Sequence, residues 1–163
     1  MKKPIGVMIT VVLVLWSTLA GAGESAEALR GFDAYKRGDY ATAWRIWQPL
    51  ALKGDAVAQG GLGMAYFFGQ GVPQDYAMAA QWYHRAAAQG FLGAQYGLGI
   101  LYEFGWGVPQ NDVEAHFWYS IAAAHHSGVR RDLATRNRDR MAERMTPAQL
   151  AVAQERASTW RQK

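Results

Sequence analysis

The side chains best suited to acid–base or metal chemistry in this sequence are four histidines and a few carboxylates. His125 and His126 are adjacent, so on a helix they do not form the i, i+4 pair that zinc ligands often use. Glu114 and His116 are two residues apart and also point in different directions. The chain has no cysteine, which excludes disulfides, thiolate metal sites and a cysteine nucleophile. We therefore predict no metal site and no cofactor.

The motifs of common enzyme classes are also missing from the sequence. There is no Gly-x-Ser-x-Gly, Ser-x-x-Lys or His-Glu-x-x-His pattern and no phosphate-binding loop. Gly97-x-Gly99 looks like part of a nucleotide-binding fingerprint, but it lies inside a helical pattern and does not follow a strand. Gly61-x-Gly63 has the same spacing, which favours a packing role. The sequence therefore predicts a protein that is not an enzyme.

Large aromatic residues are the remaining functional candidates. Most of them recur at helical spacing, as Trp82 and Trp118 do, and this favours a role in the core over a carbohydrate-binding platform. Trp106 is different because Gln70 stands 36 residues before it, so repeat packing does not require a tryptophan there. We expect Trp106 to be exposed, to act as a hot spot for a partner, and to be removable without loss of stability.

An internal repeat must position these residues. Residues 58–87 match residues 94–123 at a constant offset of 36, without a gap. The matching pairs include Leu62 with Leu98, Gly63 with Gly99 and Tyr66 with Tyr102. A weaker copy with a shorter linker precedes them, over residues 27–54. An atypical first repeat is expected where a stack begins.

Each repeat predicts two antiparallel helices. Ala58, Leu62 and Tyr66 share one helical face, while the segment from Gly69 to Pro73 forbids a continuous helix. Asp75 is placed to cap the start of the second helix. A pair of this kind can bury its apolar faces only against neighbouring pairs, so the predicted fold is an all-α solenoid.

Glycines also recur inside the predicted helices. Gly63 and Gly99 lie mid-helix, where glycine costs about 1 kcal/mol relative to alanine. We interpret them as places where a large ring approaches the helix backbone. Trp82 and Trp118 are the predicted rings.

Residues 129–163 predict a basic C-terminal helical cap. Thr146-Pro147-Ala148-Gln149 has the pattern of a capping box with proline at the first helical position. The segment holds nine Lys/Arg and four Asp/Glu, whereas residues 23–128 hold six and nine. The net charge of +4 is therefore concentrated in the tail. Such a run is most often a solvated helix face, and if it binds a partner, an acidic protein or an anionic envelope surface is favoured over nucleic acid.

Residues 1–22 have the three parts of a secretory signal. Lys2 and Lys3 precede an uncharged, mostly apolar run over residues 5–19, and small residues follow at 20–22. The run is slightly short for a membrane helix, so we expect cleavage and a periplasmic or secreted protein. The mature chain would comprise a repeat array, residues 23–128, and the cap. An uncleaved anchor is the alternative and would be the chain's link to a membrane.

The pattern A-x-x-x-L-G-x-x-Y-x-x-G-x-G-V-x-x-[DN]-x-x-x-A-x-x-W-Y-x-x-A-A resembles the Sel1-like repeat, a relative of the tetratricopeptide repeat. Residues 56–90 and 92–126 match it well, and residues 27–54 match in part. The resemblance implies that the first helices line a concave face that binds a protein or peptide. By position, the implied partner-binding residues are Gln59, Met64, Phe67, Gln95, Ile100 and Glu103. Trp106 joins this set because it departs from the repeat, as argued above.

One position departs from the family pattern. Members often carry asparagine just before Leu-Gly, whereas this chain has Gly61 and Gly97 there. A clamp on a peptide backbone is therefore not expected, and recognition by shape or by apolar contact is favoured.

The preferred interpretation is an exported, non-enzymatic interaction scaffold or adaptor. The alternative is a cell-wall ligand binder or hydrolase that acts on peptidoglycan or β-lactams. Sel1-like proteins that bind such ligands are typically rich in cysteine, which this chain lacks. A periplasmic subunit that modulates an inner-membrane sensor would use the same surface as a scaffold.

Overall fold

A computed structural model describes residues 25–125 and 127–162. These residues form eight helices and no strand. The helices are α1 (Ala26–Lys36), α2 (Tyr40–Leu52), α3 (Ala56–Phe68), α4 (Tyr76–Ala88), α5 (Leu92–Phe104), α6 (Asp112–His125), α7 (Gly128–Ala142) and α8 (Pro147–Thr159). The predicted signal segment, residues 1–22, lies outside the described residues. Within residues 25–125 and 127–162, no helix has both the length and the apolar character needed to cross a membrane.

The first six helices form three pairs that stack along the chain. α1 packs on α2, α3 on α4 and α5 on α6, and each second helix also packs on the first helix of the next pair. The first helices contact one another as well. α7 and α8 both pack against α6 and form the cap. The predicted all-α solenoid of helix pairs is confirmed.

The helices end at glycines and begin at Asp or Asn side chains that cap them, as the sequence predicts. α3 ends at Gly69 and α5 at Gly105, both in the left-handed conformation with φ of 67° and 66°. Asp75 caps α4, because its side chain accepts a hydrogen bond of 3.0 Å from the Met78 N–H. Asn111 caps α6 in the same way.

An aromatic ring from a second helix is held between glycines of two successive first helices. Tyr83 lies against Gly63 of its own pair and Gly97 of the next, where an added Cβ would overlap its ring. Trp47 lies in the same way between Gly31 and Gly61. These glycines therefore set the distance between neighbouring helices.

The prediction that Trp82 and Trp118 fill the space over Gly63 and Gly99 is wrong. The rings at these glycines belong to the next residue in each case, Tyr83 for Gly63 and Tyr119 for Gly99. Successive residues are rotated by about 100° around a helix, so the tyrosine faces the first helix when the tryptophan does not. Both tryptophans are nevertheless buried, at 9% and 7% exposure.

The cap docks on the array through a few fully buried residues and several partly buried ones. Its capping box forms as predicted: the Thr146 hydroxyl accepts from the Gln149 N–H, and the Gln149 amide oxygen accepts from the Thr146 N–H. Ala134 and Met141 are the buried residues of α7, and Ala153 is that of α8. Leu133, Met145, Ala157 and Trp160 are partly buried against the core, so apolar packing and polar contacts both hold the cap on the array.

Candidate partner-binding surface

Six of the seven predicted partner-binding residues have buried side chains. Each is at most 5% exposed, and they are Gln59, Met64, Phe67, Gln95, Ile100 and Glu103. Their helices, α3 and α5, each contact helices on two sides, so a position away from the apolar stripe is still covered. The expectation that these side chains line an open concave face is thus corrected. Partner binding by these residues remains a prediction.

The two glutamines join neighbouring repeats. Gln59 Nε2 donates to the Ala51 carbonyl at 3.2 Å, and Gln95 Nε2 donates to the Ala87 carbonyl at 3.3 Å. Both carbonyls lie in the last turn of the preceding helix, where C=O groups have no partner within the helix. The repeated bond indicates a structural role for this position.

Glu103 is a buried carboxylate that joins the array to the cap. Its Oε2 accepts a hydrogen bond of 2.7 Å from the Tyr119 hydroxyl, and its Oε1 lies 2.5 Å from the Arg140 guanidinium. Burial raises the pKa of Tyr119 well above its ordinary value, and the Glu103 charge raises it further. Tyr119 is therefore protonated at neutral pH and is a stable donor.

Trp106 is half-buried and stacked between other rings. Its ring centroid lies 5.1 Å from that of Tyr76 and 4.9 Å from that of Phe104, with interplanar angles of 23° and 24°. Phe67 lies 6.0 Å away on the buried side of the group. The prediction that Trp106 is exposed is therefore corrected, and the exposed ring is Phe104, at 43%.

We call Tyr76, Phe104 and Trp106 the aromatic edge. Residues 66–76 and 102–111, which surround it, contain two charged residues, Asp75 and the buried Glu103. The aromatic edge is thus an apolar surface in an almost uncharged setting. It is the clearest candidate for contact with a partner.

A polar cluster that the sequence analysis did not predict lies where α4, α5 and α6 meet. His84 Nε2 is 3.1 Å from the Tyr102 hydroxyl, and the His84 ring is 5.7 Å from that of Trp118. Burial lowers the pKa of His84, and the Glu114 carboxylate opposes this shift. Trp118 Nε1 is buried and has no hydrogen-bond partner within the described part of the chain. The available signal was that Glu114 replaces Met78 of the preceding repeat.

Three arginines of the cap pair with three acids of the array. The pairs are Arg140 with Glu103 at 2.5 Å, Arg144 with Asp112 at 2.9 Å and Arg156 with Glu114 at 2.5 Å. The bond to Glu114 raises the pKa of Arg156. Part of the positive charge that the sequence analysis assigned to an acidic partner is therefore neutralised within the chain. Among residues 25–125 and 127–162, no three His, Asp or Glu side chains are grouped to hold a metal ion.

Comparison with known proteins agrees with this geometry. The Sel1 repeat family matches residues 56–91 and 93–127, which contain α3–α4 and α5–α6. No curated protein matches the chain.

Two solved structures are similar to the chain. A protective antigen present in uropathogenic Escherichia coli strains, which displays an SLR fold, is 30% identical with a TM-score of 0.72. The match covers 81% of this chain and 28% of the antigen, so the chain spans less than a third of that protein. A Sel1 repeat protein from Oxalobacter formigenes is 36% identical with a TM-score of 0.56, over 67% of this chain and 88% of that one.

Sel1 repeats generally mediate protein–protein interaction, and their fold is generally a non-catalytic binding scaffold. The stacked helix pairs, the repeated glycines that receive aromatic rings and the match over two consecutive repeats all agree. The chain belongs to the Sel1 repeat family.

Proposed function

We propose that the chain is an exported, non-enzymatic scaffold that binds a protein partner in the periplasm through its aromatic edge. The observation that carries this proposal is the exposure of Phe104, at 43%, on top of the stacked Trp106 and Tyr76 rings. Aromatic residues are enriched among the few that contribute most of the energy of protein interfaces.

Contacts within the chain hold the rings of the aromatic edge in place in the absence of a partner. Gly105 has a φ of 66°, and Gly107 lies so close to the Tyr76 backbone that a Cβ there would overlap it. Trp106 is clamped between two nearly parallel rings. A partner would therefore find a preorganised surface, and binding would lose little side-chain entropy.

The charge around the aromatic edge indicates the chemistry of the partner. The surrounding linkers are almost uncharged, so an apolar or aromatic segment of the partner fits this surface. The cap keeps exposed basic residues such as Arg136, beyond those that pair with the array. Acidic groups at the margin of the partner would complement the cap. The signal pattern in residues 1–22 supports the exported location.

Site-specific photocrosslinking in the native cells tests this proposal. A photoreactive residue at position 104 is expected to trap a discrete protein adduct. The same residue at position 52 is the control, because Leu52 is 72% exposed but lies on α2, away from the aromatic edge. Equal adducts at both positions, or none at 104, would contradict the proposal.

Cell fractionation followed by N-terminal sequencing tests the exported location. We expect to find the protein in the periplasmic fraction and to find that it lacks residues 1–22.

A cell-wall ligand binder or hydrolase is the second candidate. The unpartnered Trp118 N–H beside His84 and Tyr102 is the observation that favours it, because a buried donor without an acceptor is costly. The scaffold proposal predicts no binding of soluble peptidoglycan fragments and no hydrolysis of a β-lactam reporter. Turnover above a buffer control, lost in His84→Gln, would favour the second candidate.

A further inference from the structure

The two ends of the stacked helices differ in their exposed side chains. Because successive helices alternate in direction, the turns that join one helix pair to the next lie at one end, which we call the turn end. The linkers within the pairs and the aromatic edge lie at the other end, which we call the linker end. The cap follows the same alternation, because Trp160 lies against His125 at the turn end and Arg140 lies against Glu103 at the linker end.

Three of the five large apolar side chains that are exposed in the described residues lie at the turn end. Leu29 is in the first turn of α1, Leu52 is the last residue of α2 and Val129 is in the first turn of α7, with exposures of 36%, 72% and 65%. Of the other two, Phe104 belongs to the aromatic edge and Val152 lies within α8. Single exposed apolar residues are common, so the informative fact is that these three share one end of the molecule.

A basic residue directly follows each of these aliphatic residues. The sequence reads Leu29-Arg30, Leu52-Lys53 and Val129-Arg130-Arg131, and Trp160-Arg161 repeats the pattern at the same end with a half-buried ring. An apolar side chain beside a cation suits the interface of an anionic bilayer. The apolar group enters the headgroup region while the cation stays with the lipid phosphates.

The sign of the charge also differs between the two ends. The turn end comprises residues 25–30, 49–58, 86–94, 122–132 and 159–162, and the linker end comprises residues 33–42, 66–78, 102–114 and 140–149. The turn end holds five Lys/Arg and three Asp/Glu, whereas the linker end holds four and seven. An anionic surface is therefore attracted to the turn end and repelled by the linker end.

The place where α1 begins supports the same orientation. α1 starts at Ala26, at the turn end, and the uncharged run over residues 5–19 is joined to it by residues 20–25. Six residues reach at most about 20 Å. When that run lies in a membrane, before cleavage or without it, the turn end is therefore the part of the array held next to the bilayer.

We propose that the turn end is a peripheral docking surface for an anionic phospholipid bilayer. Leu29, Leu52 and Val129 enter the headgroup region, and the neighbouring Lys/Arg side chains contact lipid phosphates. A 13-residue helix such as α3 is about 20 Å long, so the aromatic edge lies at about that distance from the bilayer and stays open to a protein partner. The docking surface does not depend on the aromatic edge, and either can fail without the other.

Vesicle flotation tests the apolar part of the surface. A chain that begins at Gly23 is used, because it contains all eight helices and their core. We expect it to float with phosphatidylglycerol vesicles at low salt, and far less with phosphatidylcholine vesicles or at high salt. Leu52→Gln with Val129→Gln should weaken binding at least about tenfold, since both aliphatic groups are lost from the interface.

Val152→Gln is the matched control for this test. Val152 is 50% exposed but lies within α8, away from the turn end, so its replacement should leave vesicle binding unchanged. All of these side chains are at least half exposed, so the variants should fold like the parent. Absence of binding to phosphatidylglycerol vesicles, or an equal loss in Val152→Gln, would overturn the proposal.

Two charge variants with the same net charge test the position of the cations. Arg30→Gln with Lys53→Gln removes two exposed cations from the turn end, and Lys36→Gln with Arg37→Gln removes two from the linker end. We expect the first variant alone to bind more weakly and to show a smaller response to salt. Equal weakening in both would show that total charge decides the binding, and the proposed surface would be wrong.

A fluorescent label measures the orientation on the bilayer. Because the chain has no cysteine, Leu52→Cys and Pro109→Cys each allow one polarity-sensitive dye to be attached, at the turn end and at the linker end. Phosphatidylglycerol vesicles should shift the emission to the blue at position 52 and not at position 109. Equal shifts would contradict the orientation. A shift at position 52 that an acidic protein causes and vesicles do not would assign the turn end to a protein partner and overturn the proposal.

Discussion

Glu103 Oε1 and the Arg140 guanidinium lie 2.5 Å apart across the boundary between the array and the cap. The carboxylate side chain is 5% exposed, whereas the arginine side chain is 51% exposed. The pair therefore differs from an ordinary surface ion pair, because removal of Arg140 would leave the buried Glu103 carboxylate without a counterion.

Arg140→Ala is accordingly expected to destabilise the protein by about 1–3 kcal/mol. Urea unfolding measures this loss, and hydrogen exchange should place it in α7 and α8. Arg136→Ala is the control, because Arg136 is exposed on the same helix, and its effect should be within about 0.5 kcal/mol. A similar loss in both variants would show that Glu103 does not need Arg140.

Gly97→Ala is expected to destabilise the chain even though alanine favours helices by about 1 kcal/mol. The added methyl group overlaps the Tyr83 ring, and overpacking of this kind costs about 1–3 kcal/mol. Thermal unfolding of Gly97→Ala, alone and combined with Tyr83→Leu, checks the explanation. With leucine at position 83, Gly97→Ala should lower the melting temperature much less than it does beside Tyr83. Additive effects of the two changes would contradict the proposed contact.

Trp106→Ala is now expected to lower stability, in contrast to the expectation from the sequence. The ring fills a slot between Phe67 and Tyr76, so its loss should cost about 1–3 kcal/mol, less than the 3–5 kcal/mol expected for the more deeply buried Trp82→Ala. Chemical denaturation of both variants measures the difference. If the Trp106→Ala protein is as stable as the parent, the Trp106 ring does not contribute to packing and the expectation from the sequence was right.

Phe104→Ala should separate binding from stability. Its ring is 43% exposed, so the melting temperature is expected to change little while capture of the crosslinked partner falls. Leu52→Ala, at a site 72% exposed, is the matched control and should preserve capture. If Phe104→Ala captures the partner as well as Leu52→Ala does, the aromatic edge is not the binding surface.

The stability of the fold should fall as the pH drops below about 6.5. Burial lowers the pKa of both His84 and His116 in the folded chain below the ordinary value of 6.5. The unfolded chain then takes up protons first as the pH falls, so protonation favours unfolding and stability is lost from about pH 6.5 downward. Melting temperatures between about pH 7.5 and pH 5 measure the slope.

The double variant His84→Gln, His116→Gln is the control for this pH dependence. Its melting temperature should change less with pH over the same range, whatever its absolute stability. An unchanged slope would assign the pH dependence to other groups.

The sequence by itself determined the helix pairs, their ends and their order. The offset of 36 residues, the glycines after α3 and α5 and the caps at Asp75 and Thr146 are local features, and local features decide where helices start and stop. The constant offset also required stacking, because a single pair cannot bury both of its faces.

Tertiary structure alone decided which side chains remain accessible. Gln59 and Glu103 lie off the apolar stripe of their helices, yet neighbouring helices cover them from a second side. Spacing along one helix records which residues share a face but not how many faces are covered. The same limit applies to Arg140, whose partner lies 37 residues earlier in the chain and is reached only after the cap folds back on the array.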